Sequence, residues 1–367
     1  MIDFESDASH LLLNPRLPAE ERERLERLHR AAPDLRAHVW MATSGTTGAL
    51  KLVGLAKRAI LASAAAVNRH LDSAPSDVWC CVLPTFHVGG LGIHARAALS
   101  GARVVTAQWE PRTFVELCEA EGVTLASLVP AQVHDLMGLR APASLRAIVV
   151  GGGALSMEEY ERGRAEGWPL LPSYGMTETA SQAATATLAG PELLLLDHLE
   201  ARSEPDGRLA FRGASLLAGY ATDDGFDDPK VDGWFVTPDL GIVEGRVVSV
   251  TGRAGDFVKI GGESVDLTRL DRILAEITAD AAVVAVADER LGVAVHLAVA
   301  AGDGNEIAAQ FNERVLPFER VRAAHHVATI PRSPLGKLRR AELAAEIDHS
   351  RNTTPPSGVI SCPDAEK

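Results

Sequence analysis

Thr43-Ser44-Gly45-Thr46-Thr47-Gly48-Ala49-Leu50-Lys51 places four hydroxyl side chains and two glycines in six consecutive positions, with a cation three residues further on. Glycines let backbone N–H groups approach an anion closely, and hydroxyls can follow a polyphosphate chain. Lys51 adds a positive charge. The Gly-Lys-Ser/Thr ending of a P-loop is missing. Taken alone, the stretch reads either as a phosphate cradle or as a polar loop ahead of a helix.

On either side of this loop the pattern is that of an α/β protein. Upstream, Pro18–Ala32 reads as a helix, with Pro18 suited to the first helical position and Glu20 and Glu21 in the first turn, where the helix dipole favours acids. Downstream, Val78–Leu83, Ala102–Ala107, Val123–Val129 and Leu145–Val150 are short β-rich runs of the kind buried in parallel sheets. Helical stretches alternate with them, among them Arg58–Leu71 and Thr113–Glu121, the latter preceded by Pro111 and closed by Gly122. This βαβα rhythm predicts a doubly wound sheet. Ser156-x-x-Glu159 has the form of a capping box, and Gly167 ends the helix it opens.

From Arg208 the rhythm changes. Arg208–Arg212 and Arg246–Val250 read as strands of a small antiparallel, barrel-like β subdomain, and Asp223–Asp228 as a solvated acidic turn. After Gly252 a smaller α+β unit is expected. It comprises helix Asp266–Ile277, strands around Ala282–Ala287 and Val293–Val299, helix Glu306–Arg314, strand Val327–Ile330 and helix Lys337–Ile347. The domain reading is therefore a large domain over 1–253, a small mobile α+β domain over 254–349, and a disordered tail over 350–367.

Bulk properties narrow the function. Of 367 residues, 49 are Asp or Glu and 36 Lys or Arg, a net charge of −13 that argues against a nucleic-acid or membrane-surface partner. Cys80, Cys81, Cys118 and Cys362 lack metal-ligand spacing and read as reduced thiols of a cytoplasmic protein. No signal peptide is visible. The longest apolar stretch, near Ala281–Ala301, is broken by Asp288, Glu289, Arg290 and His296, so no membrane span is expected.

Seven blocks in order then bear a common resemblance. They are the hydroxyl-glycine stretch, Pro84-Thr85-Phe86-His87-Val88-Gly89-Gly90, Gly151-Gly152-Gly153-Ala154, Tyr174-Gly175-Met176-Thr177-Glu178, Gly233-Trp234 through Asp239-Leu240-Gly241, Gly252-Arg253-Ala254-Gly255-Asp256, and Pro331 through Gly336-Lys337. Together they resemble the adenylate-forming superfamily of acyl-CoA synthetases, adenylation domains and luciferases. That resemblance implies ATP, Mg²⁺ and coenzyme A as cofactors and a small carboxylic acid as substrate. It departs at Leu50, where the family usually has Pro, at Pro238, where it has Gly, and at Gly255, where it commonly has Asp.

The resemblance also implies roles. Thr43, Ser44, Gly45, Thr46, Thr47, Gly48 and Lys51 would cradle the phosphates. Gly151, Gly152, Gly153, Tyr174 and Gly175 would line the adenine, with Tyr174 stacked on it. Thr177 would bond the α-phosphate, Glu178 would hold Mg²⁺, Asp239 would accept from the ribose hydroxyls, and Arg253 would contact ribose and phosphate. Lys337 would neutralise charge during adenylation. A lysine at a helix start is electrostatically poor, which favours a functional reading over a surface one. Gly255 and Asp256 would form a hinge between two poses of the small domain, and Gly261 and Gly262 would face the thiol tunnel.

For the acid, His87 through Arg96 resembles the corresponding stretch of o-succinylbenzoate–CoA ligases of menaquinone biosynthesis. His87, Gly90, Ser173 and Arg96 are the candidate acyl-site residues. A dicarboxylic acid needs a cationic anchor, for which Arg offers a bidentate fork; the alternatives are a structural His87 and an Arg96 snorkelling to the surface. Only 42 residues precede the phosphate stretch, as in compact ligases of this kind, and a homodimer would offset the missing part. Competing readings are a ligase or carrier-loading enzyme for another aryl or short-chain acid, and a catalytically inactive nucleotide-binding module.

Overall fold

The computed structural model describes residues 2–44, 50–253, 257–331, 338–353 and 360–361, with backbone alone at Ser44, Arg253, Ala341, 350–353, Ile360 and Ser361. Gly45, Thr46, Thr47, Gly48, Gly255, Asp256 and Lys337 therefore lie outside the described residues. The chain divides into two compact units, with Arg253 the last described residue of the first and Phe257 the first described of the second after the break.

In the first unit five parallel strands form one half of an eleven-stranded sheet, in the order Arg103–Thr106, Val78–Cys81, Leu125–Leu128, Ala147–Val150 and Leu170–Met176. Alternation along these strands feeds two cores. Cys80, Ala126, Leu128, Ile148 and Val150 pack with Phe114, Cys118, Leu136 and Tyr160 from three helices. Trp79, Cys81, Leu125 and Val149 pack on the other side with Ala66, Val67 and Leu71 of helix Lys57–Leu71 and Ile93 and Ala97 of helix Val88–Ser100. Helices on both faces make the sheet doubly wound.

Local chemistry sets the helix ends. Glu110 caps Pro111–Glu121 by accepting from Arg112 N–H at 3.2 Å and Thr113 N–H at 2.6 Å, and Gly122 takes the left-handed conformation after it. Ser156 Oγ accepts from Glu159 N–H at 3.1 Å, as the capping box predicts. Pro18 is the N-cap of Ala19–Ala31, one position before the expected one.

The remaining six strands of this sheet are antiparallel: Ser181–Thr187, Gly190–Leu195, Val247–Arg253, Phe235–Glu244, Arg208–Gly213 and Leu199–Ser203. The strands expected near Arg208 and Arg246 thus extend the large sheet. A separate five-stranded sheet carries His38–Ser44 and Leu50–Ala56, the strands on either side of the hydroxyl-glycine stretch, with Gly219–Thr222 antiparallel to the second. Asp223, in the expected acidic turn, pairs with Arg24.

The second unit starts with a hairpin, Phe257–Ile260 to Glu263–Asp266, turned by Gly261 (φ 56°) and Gly262 (φ 94°). Two positive φ values in succession suit a tight two-residue turn, which glycine makes without strain. Asp266 caps helix Leu267–Ala275. A four-stranded sheet (Ala281–Asp288, Gly292–Val299, Ala323–His326, Ile360–Ser361) has helices Leu267–Ala275 and Gly304–Asn312 in one core and Leu343 and Ile347 of helix Arg340–Thr353 in another.

Two expectations are corrected here. The strand forms at Ala323–His326, four residues ahead of Val327–Ile330, because parallel pairing with His296–Val299 sets the register, while Val327 and Ile330 pack against Leu343 and Ile347. Helix Arg340–Thr353 and the pairing of Ile360–Ser361 with Ala323–Ala324 also give regular structure to part of the expected disordered tail. No helix among the described residues is long and apolar enough to cross a membrane.

The parallel strands are tied at their N-terminal ends by Asp77. Burial alone would raise its carboxyl, but the Arg146 guanidinium (2.7 and 2.9 Å), the Thr124 hydroxyl (2.7 Å) and the Ala74 N–H (2.9 Å) hold it down at about 2, against an ordinary 3.8. A depressed carboxyl stabilises the fold above its unfolded value and loses that contribution as pH falls toward the folded one. Asp77→Asn should therefore flatten the loss of stability between about pH 4 and 2. Chemical denaturation at a series of pH values checks this; an unchanged acid limb would contradict it.

Candidate functional site

Strand Leu170–Met176 changes partners halfway. Ile148, Val149 and Val150 pair in parallel with Leu170, Leu171 and Pro172, and from Ser173 onward the strand pairs antiparallel with Ser181–Thr185. Its C-terminal half therefore leaves the parallel block at the strand ends, where open α/β sheets usually place ligands. Two glycines make the departure possible. A Cβ on Gly175 would overlap the Ser181 carbonyl oxygen. A Cβ on Gly151 would come 3.0 Å from Ser173 Oγ, which donates to the Val150 carbonyl at 2.9 Å. Gly152 has φ 80°, so the turn beyond Val150 presents bare backbone. Gly151 is thus brought against Ser173, the chain neighbour of Tyr174.

The Tyr174 hydroxyl donates to Asp239 Oδ2 at 2.8 Å, joining two of the expected nucleotide residues across 65 positions of sequence. The Tyr174 ring lies 5.9 Å from that of Phe211. Asp239 sits in a bulge: Ala210 pairs with Val236 and Arg208 with Leu240, so strand Phe235–Glu244 uses more residues than its neighbour over this span. The Thr237 hydroxyl accepts from Asp239 N–H at 3.1 Å and closes the bulge. Pro238 falls inside it, where no ladder N–H is required. Arg253 lies directly across from Asp239 in the next strand.

Thr177 and Glu178 form a short 3₁₀ turn after Met176. The Glu178 carbonyl accepts from Leu217 N–H at 2.9 Å, and its carboxylate Oε1 accepts from the Tyr220 hydroxyl at 2.9 Å. Lys51 Nζ stands 3.1 Å from the centroid of the same tyrosine ring. Tyr220 is the residue that sequence reading missed. A signal existed: the chain has three tyrosines, and two of them hold carboxylates of this region. Thr43 ends the described part of strand His38–Ser44 as a half-buried residue.

Arg96 settles the choice between a surface arginine and a buried one. It is 2 % exposed, on helix Val88–Ser100. Its guanidinium donates to Ser127 Oγ at 3.2 Å and Ser181 Oγ at 3.1 Å and lies 5.4 Å from the Trp79 ring. No carboxylate pairs with it among the described residues. Burial lowers its guanidinium to about 10, so it keeps its charge near neutrality. Ser181 is the ladder partner of Met176, which places Arg96 beneath the strand that leads to Thr177 and Glu178. Gly90 has a packing reason of its own: a Cβ there would overlap the Pro84 carbonyl oxygen. His87 is the N-cap residue of this helix, with its ring 4.6 Å from that of Phe86.

Gly261 and Gly262 lie in the hairpin of the second unit. No group of three or more His, Cys, Asp or Glu residues able to hold a metal occurs among the described residues.

Residues 5–221, more than half of the chain, match the AMP-binding enzyme family. The chain belongs to that family. As an AMP-binding enzyme it is similar to the 2-succinylbenzoate–CoA ligase of Bacillus cytotoxicus, 30% identical over 82% of this chain and 68% of the relative. The probable 2-succinylbenzoate–CoA ligase of Mycobacterium tuberculosis is 32% identical over 82% of each chain. Among solved structures, a double mutant of o-succinylbenzoate CoA synthetase from Bacillus subtilis, bound to a product analogue, superposes with a TM-score of 0.78 at 25% identity, covering 91% of this chain and 78% of that one. The amide bond synthetase of Marinactinospora thermotolerans shares the fold, with a TM-score of 0.74 at 24% identity over 84% of this chain and 69% of that one.

For an AMP-binding enzyme, the Tyr174–Asp239 pair gives a direct test. Asp239→Ala should weaken ATP about tenfold, the scale of hydrogen bonds to a charged acceptor. Calorimetric titration with ATP measures it, and an unchanged affinity would remove Asp239 from the nucleotide site.

Proposed function

We propose that this AMP-binding enzyme joins o-succinylbenzoate to coenzyme A through an acyl-adenylate, releasing AMP and diphosphate. The observation that carries the substrate is Arg96. A buried cation with hydroxyl partners and no carboxylate is costly unless an anion completes it. A dicarboxylic acid supplies that anion with its unreactive carboxylate and leaves the other to react. The named relatives support the same acid and thiol.

Chemistry then assigns work to the residues. An oxygen of the reactive carboxylate attacks the α-phosphorus, and the bond to diphosphate breaks. The thiolate of coenzyme A next attacks the acyl carbon, and AMP leaves. Positioning and charge neutralisation supply most of the rate. Tyr174 and the backbone of Gly151–Gly153 hold the base, and Asp239 accepts from the ribose hydroxyls with Arg253 beside it. Thr43–Gly48, Lys51 and Thr177 follow the phosphates. Lys337 neutralises charge in the first half-reaction, and the Gly255–Asp256 hinge and Gly261–Gly262 turn serve the second.

Glu178 fits a divalent cation. Its Oε1 is oriented by Tyr220, and its other oxygen makes no hydrogen bond among the described residues. Mg²⁺ takes one or two carboxylates and completes its shell with phosphate and water. When bound, it neutralises phosphate charge.

ATP–pyrophosphate exchange with a panel of acids tests the substrate: o-succinylbenzoate should support exchange, and a simple benzoate should not. The reverse pattern would overturn the assignment. Arg96→Ala should weaken the dicarboxylic acid by about 2–5 kcal/mol, as expected for loss of a buried charge pair, with ATP affinity kept. Unchanged acid kinetics would take Arg96 out of the site. Lys337→Ala should nearly abolish acyl-adenylate formation and spare thioester formation from supplied acyl-adenylate; equal loss of both would contradict its role.

A further inference from the structure

Lys51, Tyr220 and Glu178 come from three separate segments: the Lys51 ammonium lies over the face of the Tyr220 ring, and the Tyr220 hydroxyl, at the ring edge, donates to the Glu178 carboxylate. The tyrosine is 8 % exposed and belongs to the main core of the first unit. Its backbone is fixed from both directions. Tyr220 pairs with Val53 in strand Leu50–Ala56, and Ala218 N–H donates to the Gly54 carbonyl at 2.7 Å. Leu217 N–H donates to the Glu178 carbonyl at 2.9 Å. The segment 217–220 thus grips Glu178 by main chain and side chain together, and anchors it to the strand that begins at Leu50.

Glu178 makes no ion pair among the described residues; the Tyr220 hydroxyl meets its Oε1 at 2.9 Å. A cation over the ring face also polarises the phenol and strengthens its O–H as a donor to the carboxylate.

We infer that Tyr220 is a positioning residue of the adenylation site, whose hydroxyl aims the Glu178 carboxylate at a divalent cation on the nucleotide. This deepens the proposed function and rests on its reading of Glu178 as the metal-binding carboxylate. The hydroxyl accounts for one carboxylate oxygen, so the other is the one offered to the metal.

The test measures ATP binding by calorimetry, without acid so that no turnover occurs, once with Mg²⁺ and once with EDTA. The ratio of the two affinities reports the cation's contribution. Glu178→Gln should collapse that ratio, which checks the underlying reading. Tyr220→Phe keeps the ring and removes one oxygen, so the fold is retained, as thermal melts verify. It should lower the ratio by about tenfold, the scale of a hydrogen bond to a charged group, and leave ATP binding in EDTA within about twofold. The double variant should match Glu178→Gln alone, because the hydroxyl acts only through the carboxylate. A full ratio in Tyr220→Phe beside a collapsed one in Glu178→Gln would overturn the inference and keep the metal reading. So would losses that multiply in the double variant. A full ratio in Glu178→Gln would overturn the metal reading itself.

Discussion

The change of partner within strand Leu170–Met176 is the constraint from which the site follows. A strand that is parallel to one neighbour over Leu170–Pro172 and antiparallel to another from Ser173 must separate from the first. The separation exposes the end of Ala147–Val150 and its glycine turn. It also carries Tyr174, Thr177 and Glu178 beyond the parallel block. Gly175 is its steric condition, because the antiparallel neighbour approaches so closely that a side chain there would meet the Ser181 carbonyl. The same close approach brings Ser181 within 3.1 Å of Arg96. The candidate nucleotide residues and the proposed acid anchor are therefore two sides of one backbone event.

Charge is handled differently at the two ends of this region. Arg96 is enclosed by hydroxyls and an indole and keeps a cation dry. The Tyr220 ring carries Lys51 over its face, and its hydroxyl holds Glu178. Asp77, at the opposite end of the parallel strands, is fully compensated by Arg146, Thr124 and a backbone N–H.

The sequence was legible where periodicity and end signals agree. Four of the five parallel strands, the Pro111 helix with its Gly122 stop, and the Ser156 cap were read close to their observed bounds because burial and hydrogen-bond chemistry leave local marks; Leu170–Met176 was not read as a strand. Helix Val88–Ser100 carries glycines at 89, 90 and 92, which lower propensity; it forms because Gly90 must lie against the Pro84 carbonyl, a tertiary demand. The strand at Ala323–His326 was misplaced for a related reason, since its register belongs to the partner strand. In the candidate site, resemblance named Tyr174, Asp239 and Arg253, which the structure brings together. Tyr220 was not named, because its importance lies in contacts with Lys51 and Glu178, 169 and 42 positions away.

Pro238 has a consequence beyond the departure it marks. A sliding strand must offer an amide proton wherever its neighbour presents a carbonyl, and proline has none to offer. Moving Phe235–Glu244 by one step would bring Pro238 out of the bulge and into the ladder, while turning every side chain to the opposite surface. The ring thus acts as a stop on the strand. It keeps Asp239 turned toward Tyr174.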